Sequence, residues 1–231
     1  VFPSLGHSSD ALFNAFSSLG QILIQGSGPI VILDRDRLDS FISVNRAGAR
    51  LLGDDVPRYL AELFLDKKGI VRDLAKLSQA FKVELFTALM ASGSSMEIYE
   101  SLRNVLDVTL EQPLLDFDLS TISLVYVLIR APLRMQEQFT KGYIELEVND
   151  WLKDTLGLNV PQICEPVYVD EFNDRVDVII LVGGFDPQPL FKKVDERITR
   201  FDNLIKEHGF YDREVWDKIR QRLVNGQTKL G

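Results

Sequence analysis

Disulfide chemistry is excluded at the outset. The 231 residues contain one cysteine, Cys164, so no intrachain bridge can form and a reducing cytoplasm is the natural compartment. Histidine is almost as scarce. His7 and His208 are the only two; they lie far apart and neither has a second ligand nearby, so they read as surface or capping residues rather than as a metal site. No apolar run reaches the roughly 18 residues of a membrane span, and no basic-then-apolar leader opens the chain. Basic clusters are missing too. With 26 Lys and Arg against 34 Asp and Glu, the net charge is −8. Duplex nucleic acid is a poor main partner for such a chain, because phosphate binding needs clustered cations. The glycine pair at 26 and 28 has neither the lysine nor the helix start that cradle phosphate. There is no internal repeat. The chain opens on Val1-Phe2-Pro3, without methionine, and is expected to be a processed or truncated product.

What is present is enough apolar material for a packed core, 45% of residues, which argues against disorder. Ser8 or Ser9 can cap a helix whose apolar positions Leu12, Ala15, Phe16, Leu19, Ile22 and Leu23 follow a 3.6-residue period. A turn over residues 26–29 leads to a short buried strand, Ile30 to Leu33. The pattern then predicts a long helix from about Leu38 to Leu52, a break at Gly53-Asp54-Asp55, and a further helix over Pro57 to Leu65. Gly69 to Leu77 reads as a loop in which Asp73 caps a helix reaching Phe81. Val83 to Leu89 alternates weakly, as a strand does. Ala91 to Ser95 reads as a loop, and Met96 to Glu111 as a helix. Beyond about residue 115 the pattern changes to a three- or four-stranded sheet with helices packed on it. Its strands are Ile122 to Ile129, 163–169 and 175–183. Helices are expected over Met135 to Leu156, Pro189 to Glu207 and Asp212 to Val224, with Gly226 as a stop. Cys164, at a strand start, reads as a small core residue.

Several segments, taken in order, resemble the second half of the tubulin/FtsZ superfamily. Val1-Phe2-Pro3-Ser4 and Leu12-Phe13-Asn14-Ala15-Phe16 resemble a proline segment and the Asn- and Ala-rich helix after it. Ile30-Val31-Ile32-Leu33-Asp34-Arg35-Asp36-Arg37-Leu38 resembles the strand that ends in Asn-Asp-Lys-Leu. Val71-Arg72-Asp73-Leu74-Ala75-Lys76-Leu77 is similar to the loop that reaches the nucleotide of the next subunit. Pro113-Leu114-Leu115-Asp116-Phe117-Asp118-Leu119-Ser120 resembles the Ser-Pro-Leu-Leu segment of FtsZ. Arg130-Ala131-Pro132 resembles the Gly-Pro that closes the following strand. The two terminal helices look more like tubulin or the archaeal CetZ group than like bacterial FtsZ.

The resemblance implies an α/β to α+β fold. Residues 1–38 would be the end of a Rossmann-like GTPase domain, 39–78 the long central helix and its loop, and 79–231 a small mixed-sheet activation domain with packed helices. It implies GTP or GDP as cofactor, with or without Mg2+, and the partner would be a further copy of the chain or a chain carrying the N-terminal half. Phe41 and Asn45 would contact guanine from one helical face, with Arg46 and Asp36 beside them; equally, Phe41 is a core residue and Asn45 incidental. Asp73 matches the first acid of the hydrolytic loop. Lys76 stands where FtsZ and α-tubulin carry the second acid, and resembles β-tubulin, whose loop faces a GTP that is not hydrolysed. Asp73 as a plain helix cap, with Lys76 on the solvent face, accounts for both residues as well. The glycine-rich phosphate loop of the family is not in this sequence. His7, Ala11 and Arg35 depart from the usual Glu, Arg and Asn, and Arg46 stands where FtsZ often has Asp; each change weakens the guanine and ribose contacts that the resemblance implies. The implied function is head-to-tail filament formation with weak or no hydrolysis; the alternative is a tubulin-like interaction protein that does not bind nucleotide by itself.

Overall fold

Apolar runs that are continuous rather than alternating need cover on both faces of a sheet. The computed structural model, which describes residues 1–26, 28–65 and 68–226, provides that cover. Strands β4 (Leu85–Ser95), β5 (Leu124–Pro132), β6 (Gln162–Val169) and β7 (Arg175–Gly183) join the two-residue β1 (Ile30–Val31) in a mixed five-stranded sheet of order β1-β4-β7-β5-β6. β4 and β5 both run antiparallel to the central β7, while β1 and β6 pair parallel at the edges.

One face of the sheet presents Phe86, Ala88, Met90, Tyr126, Leu128, Ile179 and Leu181 to a cluster that also holds Leu60 and Leu63 of α3 (Val56–Leu65) and Ile70, Leu74 and Leu77 of α4 (Lys68–Phe81). The alternate residues Val125, Val127, Ile129, Val178, Ile180 and Val182 are buried as well. α6 (Leu102–Glu111) packs on β4 and β7, and α7 (Lys141–Leu156) packs on β6 and α6. The indole N–H of Trp151 on α7 donates to Asp107 Oδ1 on α6 at 2.8 Å. Cys164 is fully buried, and burial pushes its thiol up to about 12, as suits an inert core residue. The chain is therefore of mixed α/β class.

Contacts divide the chain into two compact units. The first is Val1 with Pro29–Phe185; the second is Phe2–Gly28 with the described residues from Asp186 onward. In the second, α1 (Ser9–Gln25) packs against α8 (Gln188–Arg197) and α10 (Arg213–Leu223). Ser8 caps α1, its Oγ accepting from the Ala11 amide at 3.3 Å, and Gly26 ends it in the left-handed conformation. Ser27, in the expected turn, lies outside the described residues. Gly20 is obligatory where α1 meets α10: a Cβ there would lie 2.5 Å from Ile219 Cγ2.

Several expected elements are corrected. No helix spans Leu38 to Leu52. α2 (Arg35–Ser40) ends before Phe41, and a hairpin of β2 (Ser43–Val44) and β3 (Arg50–Leu51) follows. The cause is local. The Asn45 side chain accepts from the Ala49 amide at 3.0 Å, and Gly48 takes φ +80°, a turn chemistry that competes with helix. Gly69 does not open a loop, since α4 already starts at Lys68; Asp73 therefore sits inside the helix and caps nothing. Residues 91–95 continue β4 through a bulge instead of forming a loop. Met96 to Glu111 is two helices, α5 (Met96–Tyr99) and α6, parted at Glu100, whose φ is +63°. The helix expected from Met135 begins only at Thr140, which caps α7. The one expected over Pro189 to Glu207 is broken at Ile198 into α8 and α9 (Thr199–His208).

Candidate functional site

Asp34 starts the region that carries most of the sequence-derived candidates. Its Oδ1 accepts from the amides of Asp36 (2.7 Å) and Arg37 (3.2 Å), which fixes the first turn of α2. Burial holds the Asp34 carboxyl above its ordinary value in spite of those two amides. Asp36 is exposed in that first turn. Phe41 follows α2 directly, and its ring is buried in the cluster under the sheet. Gln112 then pins the chain from both sides of Ile42: its Oε1 accepts from the Ile42 amide at 2.6 Å and its Nε2 donates to the Ile42 carbonyl at 2.9 Å.

The hairpin brings Arg46 down onto the sheet, where it is 5% exposed. Its Nε donates to Glu171 Oε2 at 3.1 Å and lies 3.9 Å from Asp177 Oδ2. Asp177, on β7, is 1% exposed. Its Oδ1 accepts from the Ser92 hydroxyl and the Gly93 amide, each at 2.9 Å, and its Oδ2 accepts from the Tyr59 hydroxyl at 2.8 Å. Gly93 can offer that amide because it sits in the β4 bulge with φ +61°, where an amide leaves the ladder. Burial pushes the Asp177 carboxyl up; the Gly93 amide, the Arg46 charge and the two hydroxyls oppose it. Burial and the Asp177 charge also raise the Tyr59 phenol. Arg175 completes the seat, donating to the Gly93 carbonyl at 2.7 Å.

Asp73 and Lys76 lie elsewhere, one turn apart on α4. Lys76 Nζ is 3.7 Å from Asp73 Oδ1, as is Arg72 Nε. Both ammonium and guanidinium are exposed. Asp73 is near enough to the sheet that burial, together with its charge, pushes the Tyr126 phenol up to about 12.

The four candidates for a base and its ribose are thus not gathered on one surface. Phe41 and Arg46 are buried, the Asn45 carboxamide is committed to Ala49, and Asp36 is exposed. The set around Arg46, with Ser92 and Asp177 buried and Tyr59 and Glu171 half-buried, carried no motif. Its one visible signal was a lone acid, Asp177, inside the otherwise apolar run from Val176 to Val182.

Among the described residues, no three His, Cys, Asp or Glu side chains are grouped to hold a metal ion, and no helix is long and apolar enough to cross a membrane. No protein-family model matches this chain, and no curated protein matches its sequence.

Proposed function

We propose that this chain is the C-terminal part of a tubulin/FtsZ-like cytoskeletal protein of the cytoplasm. It stacks head to tail on further copies of itself, with GTP or GDP held at the junction by sequence outside this chain. The observation that carries the reading is the block β4-β7-β5-β6 with α6 and α7 packed on it. A small mixed sheet with packed helices is what the quoted segments imply. Head-to-tail stacking is a heterologous contact, which gives open filaments. The exposed α4 face supports the reading, because Val71, Arg72 and Lys76 all point to solvent there. An ammonium at Lys76 does not serve as a general base at neutral pH unless its pKa falls by several units, so this reading carries weak or absent hydrolysis.

A second reading, a tubulin-like interaction protein that binds no nucleotide itself, is favoured by the burial of Phe41 and the committed side chain of Asn45. Sedimentation of the full-length gene product, with and without GTP, separates the two. Nucleotide-dependent pelleting is the expected result, and pelleting indifferent to GTP selects the second reading. In a protein that pellets with GTP, Lys76→Asp is expected to raise turnover of GTP. Unchanged turnover would remove the role given to position 76.

A further inference from the structure

We propose that the β2–β3 hairpin is a strap, shut by Arg46 over Asp177, whose open form presents the Arg46 guanidinium to an oxoanion such as phosphate. The inference does not rest on the tubulin-like reading. It starts from an unpaired group. A guanidinium has five N–H donors, and Arg46 uses only Nε, on Glu171. Nη1 and Nη2 are buried with no hydrogen-bond partner among the described residues. Four N–H bonds of a charged group are therefore buried without a side-chain or backbone acceptor among the described residues, which is the costly side of burying polar atoms.

Besides Arg46, the hairpin is held by the Ser43 hydroxyl, which donates to the Ser92 carbonyl at 3.2 Å, by the Asn173 side-chain amide, which donates to the Arg46 carbonyl at 3.4 Å, and by the buried Leu51. It pairs only Ser43 with Leu51 and Val44 with Arg50, too short a ladder to be stable alone. Its ends, by contrast, are fixed. Gln112 grips Ile42 on both sides, and Gly53 lies so close to α2 that a Cβ would sit 1.9 Å from the Leu38 carbonyl oxygen. Between those anchors Ala47, Gly48, Ala49 and Arg50 are exposed. Asp177 also tolerates the departure of Arg46, because Ser92, Gly93 and Tyr59 still donate to it. The closed form thus carries a penalty that the open form relieves, and a pair of parallel N–H donors matches two oxygens of one oxoanion.

Val44 offers a probe. In the closed form its side chain is half-buried against Gly93, so a thiol in Val44→Cys is partly shielded until the strap opens. Labelling by a thiol reagent is read at that position and at Cys164, whose buried thiol reports global unfolding. Inorganic phosphate is expected to speed labelling of Val44→Cys saturably, by about tenfold, while chloride at matched ionic strength does not. Adding Arg46→Met should abolish the acceleration, and Arg46→Lys, which keeps the charge without the fork, should blunt it. The proposal is overturned by no acceleration, by acceleration that survives Arg46→Met and Arg46→Lys unchanged, or by Cys164 reacting in step with position 44.

Discussion

Asp177→Ala is expected to destabilise the unit that contains the sheet by about 3–5 kcal/mol, the usual cost of removing one partner from a buried charge pair. The loss has two parts. Arg46 in the closed hairpin would keep only Glu171 as a partner, and the Ser92 hydroxyl, the Gly93 amide and the Tyr59 hydroxyl would lose their shared acceptor. Urea unfolding followed by far-ultraviolet circular dichroism measures it. A loss below about 1 kcal/mol, the worth of a single ordinary hydrogen bond, would mean that the network contributes nothing as a unit. Asp177→Asn, which keeps the volume and one acceptor oxygen, should cost less.

The same residue gives a signed dependence on pH. Burial raises the Asp177 carboxyl above 3.8 in the folded state, against its hydrogen bonds and Arg46. A raised native pKa means the folded state holds this proton more tightly than the unfolded chain does. The stability so contributed is full below the unfolded value and is lost as pH rises through the native one. The advantage of the wild type over Asp177→Asn should therefore shrink as the pH rises above about 4, the ordinary carboxyl value. An advantage that widens over that range would show the carboxylate to be favoured by its donors, contrary to the dominance of burial.

Legibility in the sequence followed the kind of signal. The run Leu124 to Ile129 and the pair Val176 to Val182 are apolar enough to state their own burial, and both are strands. A cap was legible where one side chain acts on its own turn, as with Ser8 on α1; Asp212, expected as the first residue of the last helix, caps α10 instead, its carboxylate accepting from the Val215 amide at 2.9 Å. The small residues Ala91 to Ser95 were illegible because their partners are remote. Ser92 is satisfied by Asp177 and Ser95 by Asp174, both far along the chain, and no local pattern announces that. The expected central helix failed for the opposite reason. The turn chemistry of Asn45 and Gly48 overrides the helix expected over this segment.

The candidate site shows the same division. Asp73 and Lys76 were placed by resemblance, and the residues do share an exposed face, although on a helix and not in a loop. Arg46 was singled out as a nucleotide contact from its place after Asn45. What its side chain meets depends on Glu171 in the turn after β6 and on Asp177 of β7, itself held by Tyr59 of α3. A buried ionic network of that sort has no spacing rule, so only the assembled sheet brings it into view.

The helical unit offers the second large effect. Trp216→Ala is expected to cost about 3–5 kcal/mol, as aromatic truncation in a core does. Trp216 is 1% exposed on the face of α10 that also buries Ile219 and Leu223. Its ring lies 5.2 Å from Phe13 and 5.9 Å from Phe16 of α1, and Phe13 stacks in turn on Phe201 of α9 at 4.4 Å. One indole thus joins three helices, while its N–H donates to Asp202 Oδ1 at 3.2 Å. Burial alone would raise Asp202, but Lys206, the indole N–H and Arg220 overcome it and hold the carboxyl below its ordinary value. Arg220 is itself forked onto Asp195, at 2.8 and 2.7 Å, so the acid keeps a well-placed cation when the indole is removed. Trp216→Phe should accordingly cost only about 1 kcal/mol, since it keeps an aromatic ring and loses one hydrogen bond to a carboxylate that still has two cations. Equal losses in the alanine and phenylalanine variants, measured by urea unfolding, would assign the effect to the indole N–H and remove ring packing as the main force between α1 and α10.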